Sequence, residues 1–531
     1  MRASTSYGGQ LVAEQLKKEG VETVFALIGN HVSPILVNLD AHDINIIHTR
    51  HEQGSVHMSD GWAQMTRNVG VAIVSGGPGF TNTFTGIIKA FFARTPLLII
   101  TGAVVPQARD KGVLQDLDQV SMIRPYTKWI RTVYETARIP EYISRAIQLA
   151  NSGRKGPVVL EIPINVLKQS VESTGNKNLN WPISTFDKSL APMELVDKLV
   201  DKIASAKRPV IIAGDDVYYE DAGASLRQFI DLSGIPVFTV NKARGCVPDS
   251  HPRCFGSGRV LEAGPQIYAY NNSDMIITVG LEIDYQMGHL EAPYFQNEQT
   301  FLSISKDADS VINSRQAPEL LLVGNVDCVL EQLSTRWQYH SPNLAYDEWA
   351  QELTEQHDAY WSRLGAENID GGSGCINPLI AIRTIQANMA DDAIIVLDGS
   401  NAMFWGALCF RCNHPGQMII GPDGLFGPMG AGVSLAIGAK AAYPDREVVL
   451  YTGDGSFGFN AIELDTAVRF KLPIITVVHN DRSWGFCKST QEILYNKSAA
   501  ADLDSVRYDK IMEAFGGYGS LVADLSDLED S

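Results

Sequence analysis

Short runs of β-branched and other apolar residues recur along the chain, each closed by a glycine or a polar turn before a stretch of helical spacing begins. In the amino-terminal third they are residues 45–49 (NIIHT) and 69–75 (VGVAIVS). The middle holds 209–214 (PVIIAG), 235–238 (IPVF) and 275–280 (MIITVG), and the last third holds 447–451 (EVVLY) and 473–478 (PIITVV). Runs that are apolar on both faces belong to strands of a parallel sheet covered by helices on each side. Between the last two, residues 460–470 read as a crossover helix. A right-handed crossover brings both strand ends to one edge of the sheet, where open α/β sheets bind ligands. Polar stretches at 168–188 and 337–374 read as linkers. The pattern therefore predicts an α/β protein of three doubly wound parallel-sheet domains, residues 1–172, 190–336 and 375–531. The first and third look alike in organisation, a pseudo-repeat of pattern rather than of residue identity.

Composition narrows the function. A chain of 531 residues is too long for one core, and 45% hydrophobic residues with 46 glycines fit an ordered, turn-rich α/β protein. A formal charge of −18 without a basic patch excludes a nucleic-acid surface. The apolar run 97–105 is broken by Thr101 and Gly102 and is too short to span a bilayer. Residues 1–6 lead into a polar amphipathic helix without an apolar signal core, so no membrane partner and a cytoplasmic location are expected. Seven cysteines in this length form no disulfide framework, and Cys409-x-x-Cys412 with His414 lacks the second ligand pair of a structural zinc site.

The richest chemistry lies at Gly453-Asp454-Gly455-Ser456-Phe457-Gly458 and Asn480-Asp481-Arg482-Ser483. Glycines let backbone approach a phosphate, the helix they open presents free N–H groups to an anion, and Asp454, Asp481 and the Ser483 carbonyl would hold a hard divalent cation beside it. Two carboxylates and a carbonyl leave coordination positions for diphosphate oxygens and water, which suits Mg²⁺. Gly453, Gly455 and Gly458 also satisfy the G-x-G-x-x-G dinucleotide fingerprint, with Asp481 near the place of a ribose-binding acid, so a nicotinamide dehydrogenase is an alternative. A plain strand-to-helix turn is a third. In the other half, the strand at 45–49 ends at Arg50-His51-Glu52, and the strand at 69–75 runs into Gly76-Gly77-Pro78-Gly79-Phe80-Thr81-Asn82. Taken alone, Glu52 reads as an ordinary exposed carboxylate.

Taken together and in order, Arg50-His51-Glu52, the stretch 75–82, Gly427-Pro428-Met429-Gly430, Gly453-Asp454-Gly455 and Asn480-Asp481 resemble thiamine diphosphate enzymes of the acetolactate synthase type, over nearly the whole chain. The segment 25–37 with 49–52 is most similar to the branch holding acetolactate synthase-like proteins, 2-hydroxyacyl-CoA lyases and benzaldehyde lyase. The resemblance implies pyrimidine-binding, central and diphosphate-binding domains in that order. It implies that Glu52 hydrogen-bonds N1′ of the aminopyrimidine and favours the imino tautomer that deprotonates thiazolium C2, the resulting ylide attacking a carbonyl. An apolar setting that raises its pKa would suit Glu52. His31 and Gln115 match the active-site histidine and glutamine of benzaldehyde lyase-like enzymes, relaying protons or bonding the substrate oxygen. Met429 matches the wedge that bends the cofactor, and Gly427 the carbonyl that meets its 4′-amino group; Pro428 between them departs from the family pattern.

The implied cofactor contacts are Glu52, Ser400, Asn401, Gly427, Met429, Gly453, Asp454, Gly455, Ser456, Asp481, Ser483, Trp484 and Gly485, with Asp454, Asp481 and Ser483 at Mg²⁺. Many relatives carry asparagine where Asp481 stands, and the added charge strengthens cation attraction. The stretch Gly256-Ser257-Gly258-Arg259 does not reproduce the flavin-associated pattern, so no FAD is expected. Family members place the cofactor between the first domain of one subunit and the third of another, which makes a homodimer the minimum unit and a homotetramer the expected one. The substrate is a small carbonyl compound: a 2-keto acid, 2-hydroxy ketone or 2-hydroxyacyl thioester. Relatives continue past the region of 514–519 through a helix and a strand that close over the site, which this sequence does not show. A non-catalytic relative of the family is a further alternative, disfavoured by the joint presence of Glu52, Asp454 and Asp481.

Overall fold

A computed structural model describes residues 5–172, 188–340, 346–367 and 375–530, and among them three parallel sheets follow one another along the chain. After a short β1 (Thr5–Tyr7) come β2 (Thr23–Ala26), β3 (Asn45–His48), β4 (Gly70–Val74), β5 (Leu97–Ala103), β6 (Trp129–Thr132) and β7 (Pro157–Pro163), ordered 3-2-4-5-7-6 in the first sheet. A strand β8 (Ser170–Glu172) returns to pair antiparallel with β1. The second sheet has β9 (Pro209–Ala213), β10 (Val237–Thr239), β11 (Cys254–Ser257), β12 (Met275–Val279), β13 (Thr300–Ser305) and β14 (Leu320–Val323), ordered 11-10-9-12-13-14. The third has β15 (Ile394–Asp398), β16 (Met418–Ile420), β17 (Val448–Gly453) and β18 (Ile475–His479), ordered 16-15-17-18. Every residue of β4, β5, β7, β9, β12 and β15 is buried, as their unbroken apolar sequences require. This is the three-layered α/β architecture expected from the pattern.

Two expectations need correction. The crossover helix predicted over 460–470 begins earlier: a helix Asp454–Asn460 opens directly after β17, a 3₁₀ turn Ala461–Glu463 follows, and a second helix is Leu464–Arg469. Burial of Ser456, Phe457 and Asn460 offsets the helix cost of Gly455 and Gly458. The linker predicted over 337–374 contains the long helix Asp347–Glu367. Its polar composition hid an apolar stripe, Tyr346, Trp349, Ala350 and Leu353, that is buried against the second sheet. Trp349 Nε1 donates to the Pro209 carbonyl at 3.1 Å, and Glu352 receives Arg208 and Tyr268. Residues 341–345 and 368–374 of that stretch, and 173–187 of the other predicted linker, lie outside the described residues.

The three units are tied together through helices and buried charge. The helix Glu52–Thr66 of the first unit crosses the helix Gly432–Ala442 of the third so closely that a Cβ on Gly61 would lie 2.3 Å from the Leu435 carbonyl oxygen, and one on Gly438 2.0 Å from that of Met58. Lys242 of the second unit reaches its own Asp215 at 2.8 Å and Asp423 of the third, all three nearly enclosed. Arg94 of the first pairs with Asp216 and Glu282 of the second. Losing one partner from such a buried pair costs about 3–5 kcal/mol, so these contacts fix the relative placement of the units. No helix among the described residues is long and apolar enough to cross a membrane.

Candidate active site

Strand order in the third sheet sets β15, β17 and β18 side by side, so the segments leaving their carboxyl ends converge. From β15 come Asp398, Gly399, Ser400 and a helix starting at Asn401; from β17 the helix starting at Asp454; from β18 Asp481, Ser483 and a helix starting at Gly485. The approach is tight. A Cβ on Gly399, whose φ is +93°, would sit 3.1 Å from Ser456 Oγ. One on Gly485 would sit 2.1 Å from Asp481 Oδ2 and 2.8 Å from Asn401 Nδ2, and one on Gly455 2.7 Å from the Trp484 ring. The structure therefore brings Ser400, Asn401, Gly453, Asp454, Gly455, Ser456, Asp481, Ser483, Trp484 and Gly485 to one place.

Asp454 is 2% exposed, and its Oδ2, like the Ser456 hydroxyl, has no hydrogen-bond partner among the described residues. Burial first, and then the Asp481 carboxylate, push the Asp454 carboxyl up to about 6. Asp481 Oδ1 accepts from both the Ser483 amide and its hydroxyl at 3.0 Å. A buried acid with an orphaned oxygen facing a second carboxylate is relieved by a hard cation, so the residues present fit a Mg²⁺-bound diphosphate.

Met429 is half-buried beside this cluster, with Ser400 Oγ donating to its sulfur at 3.8 Å. Its loop is held by Asp398, whose carboxylate accepts from the amides of Gly399 at 2.7 Å, Gly430 at 3.0 Å and Gly432 at 2.8 Å. Burial pushes the Asp398 carboxyl up to about 6 despite these three donors. Asn460 Nδ2 donates to the Gly430 carbonyl at 2.7 Å from the other side. Gly427 takes a φ of +54°, a left-handed conformation that suits glycine immediately before Pro428, and Tyr285 of the second unit stands across from it.

In the first unit His31, Glu52 and Gln115 gather around the turn at Gly76–Gly79. Asn82 Nδ2 donates to Glu52 Oε2 at 2.9 Å, and a Cβ on Gly79 would lie 3.4 Å from Glu52 Oε1. His31 Nδ1 is 3.3 Å from Ser75 Oγ, and burial lowers the imidazole pKa, keeping it neutral around pH 7. Gln115 holds a φ of +67° and packs on Gly77, itself at φ +67°. Gln119 braces that turn by accepting from the Gly77 amide at 3.1 Å and donating to the Gly102 carbonyl at 2.8 Å. Asn82, Ser75, Gln119, Asp398 and Asn460 were not assigned site roles from sequence. Asn82 and Ser75 carried a signal, because they close and open the glycine-turn stretch 75–82; Gln119, Asp398 and Asn460 act through backbone groups distant in sequence.

The two clusters sit at opposite ends of one short helix within a chain. Asp454 opens the helix Asp454–Asn460, which rises about 10 Å over its length. The turn beyond its far end carries Glu463, whose carboxylate accepts from the amides of Arg50 and His51, the residues just before Glu52.

Of the groups weighed for zinc, His414 Nε2 meets Asp391 at 2.9 Å, and burial pushes the Cys409 and Cys412 thiols up to about 12.

Comparison with known proteins agrees with this architecture. Residues 7–122 match the family described as thiamine pyrophosphate enzyme, N-terminal TPP binding domain; 196–333 match its central domain, and 398–531 its C-terminal TPP binding domain. The chain belongs to the thiamine pyrophosphate enzyme family and is a thiamine pyrophosphate-dependent enzyme of the lyase and carboligase kind. It is similar to 2-hydroxyacyl-CoA lyase 2 of Caenorhabditis elegans, at 31% identity over 98% of this chain and 85% of the relative. It is 29% identical to the Danio rerio protein of the same name, over 100% of this chain and 89% of the relative. The acetolactate synthase large subunit IlvG of Mycobacterium tuberculosis is 29% identical over 98% of this chain and 92% of its own length. A nicotinamide dehydrogenase built on Gly453, Gly455 and Gly458 is not favoured by these matches.

Proposed function

We propose that this enzyme is a Mg²⁺-dependent carbon–carbon lyase or carboligase acting on 2-keto acids, 2-hydroxy ketones or 2-hydroxyacyl thioesters. The observation that carries the reading is the buried Asp454 carboxyl with its unpartnered oxygen, set against Asp481 at the meeting point of three strand ends. Asp454, Asp481 and the Ser483 carbonyl would hold Mg²⁺, Ser400, Asn401 and Gly453–Ser456 with Gly485 would surround the diphosphate, and Met429 would support the ring system. When bound, thiamine diphosphate supplies a carbanion nucleophile and an electron sink for cleaving or forming a bond beside a carbonyl. Glu52, fixed by Asn82, would hold and return a proton at the aminopyrimidine. Neutral His31 and Gln115 would move a proton to and from the substrate oxygen.

A second copy of the chain completes each site in this reading. The Asp454 and Glu52 of one chain lie toward opposite ends of the helix Asp454–Asn460, so a chain's own Glu52 is poorly placed for its own metal cluster. Large apolar side chains stand exposed around the diphosphate side, among them Phe459 at 55% and Phe486 at 50%, as a surface covered by a partner would. No flavin enters the reading, because Gly258 is packed beneath Tyr270 and Phe238 and Arg259 is buried beside Met403. The relatives' names span thioester and keto-acid chemistry, and both fit the proposed carbonyl substrate.

The test is a turnover screen of the purified protein with pyruvate, benzoin and a 2-hydroxyacyl-CoA, with and without thiamine diphosphate and Mg²⁺. Turnover of at least one substrate that requires both additions is expected. Turnover indifferent to either addition, or coupled to NAD⁺ reduction, would contradict the proposal.

A further inference from the structure

Glu463 lies in the third unit yet spends its carboxylate on the first. Its side chain is fully buried, with Oε1 accepting from the His51 amide at 2.9 Å and from the Arg50 amide at 3.1 Å, and Oε2 from the Thr466 hydroxyl at 2.6 Å. These two amides sit at the entry to the helix Glu52–Thr66, whose N-cap is His51. Helix entries leave such N–H groups without intrahelical partners and favour a negative charge nearby. Gly54, one turn into the same helix, lets the carboxylate approach: a Cβ there would stand 2.5 Å from Glu463 Oε1. Neighbours reinforce the junction, with Arg469 donating to the His48 carbonyl at 2.9 Å and Asp465 3.8 Å from Arg50.

We propose that Glu463 is a positioning residue that clasps the Arg50–His51 backbone and thereby aims the Glu52 carboxyl. The inference rests on the reading of Glu52 as the proton-handling acid given above. Glu52 is the first residue of its helix, so the direction of its side chain follows from the backbone immediately before it. Nothing else from the third unit makes hydrogen bonds to these two amides among the described residues. A misplacement on the order of 1 Å in a proton-transferring group lowers rate by about 10²-fold, so the clasp acts on turnover rather than on substrate affinity.

The test uses the full-length protein with Glu463→Gln, which keeps one acceptor oxygen, and Glu463→Ala, which keeps none. In cofactor-free protein, hydrogen exchange at the amides of residues 50–51 is expected to speed up in the order wild type, glutamine, alanine. With cofactor and Mg²⁺, kcat is expected to fall about 10- to 100-fold in the alanine variant and less in the glutamine variant, with KM within about threefold of wild type. Adding Glu52→Gln to either variant is expected to cause no loss beyond that of Glu52→Gln alone. Unchanged exchange, an equal loss in both variants, or losses that multiply with Glu52→Gln would overturn the clasp while leaving the proposed chemistry standing. Near-normal turnover in Glu52→Gln alone would overturn both. Should the alanine variant not fold, the glutamine variant decides by exchange and by the double substitution.

Discussion

Replacing Glu52 by glutamine is expected to leave a folded protein that binds thiamine diphosphate and Mg²⁺ while lowering kcat by about 10²- to 10⁴-fold, the usual contribution of a positioned proton-transfer group. The amide is close in shape to the acid, so the contact from Asn82 survives through its oxygen, and the packing on Gly79 is unchanged. What disappears is the ability to exchange a proton with the aminopyrimidine. The charge lost from the first turn of the helix Glu52–Thr66 costs only about 0.3–1 kcal/mol, so the thermal midpoint should barely move. Steady-state kinetics beside a melting curve separate the two effects. Turnover close to wild type would remove Glu52 from the reaction.

Asp454→Ala is the second large effect. Cofactor affinity in the presence of Mg²⁺ is expected to fall by about 10²-fold or more, because the variant removes a ligand outright, whereas losing even an outer-sphere partner costs 10- to 100-fold. The stability of the cofactor-free protein should not fall with it. At neutral pH the native Asp454 is a buried carboxylate held against Asp481 with one oxygen unpaired, a strained charge that alanine relieves. Wild type should gain roughly 2.7 kcal/mol of stability at cofactor concentrations of about 100 Kd, and the variant should gain almost none. Melting curves with and without Mg²⁺ and thiamine diphosphate measure this. A variant that still melts higher on addition of both would place the metal elsewhere.

Much of this arrangement was legible in the sequence, for identifiable reasons. Continuous β-branched runs marked strands in each of the three sheets, β4, β9, β12 and β17 among them, and glycines at their ends marked where backbone meets ligand. Asp454, Asp481, Glu52, His31 and Gln115 could be picked out because motifs in fixed order surround them. The helix Asp347–Glu367 was hidden because a surface helix is mostly polar, and its stripe around Trp349 and Leu353 is sparse. Asp398, Asn460 and Glu463 were illegible for a different reason. Each works by bonding backbone groups of another segment, Gly430 and Gly432 for Asp398 or Arg50 and His51 for Glu463, and a backbone amide has no sequence signature. The Glu463 contact exists only once the first and third units have docked through Gly61 and Gly438.

The central claim is that Glu52 of one chain works with the Asp454–Asp481 cluster of another. Mixing Glu52→Gln and Asp454→Ala chains, each inactive alone, and reassociating them at equal amounts tests it directly. If each site draws its halves from two chains, every mixed dimer holds one unaltered site, and activity should return to about one quarter of wild type. Mixed dimers that form, as mass measurement of the intact assembly would reveal, yet remain inactive would contradict the account.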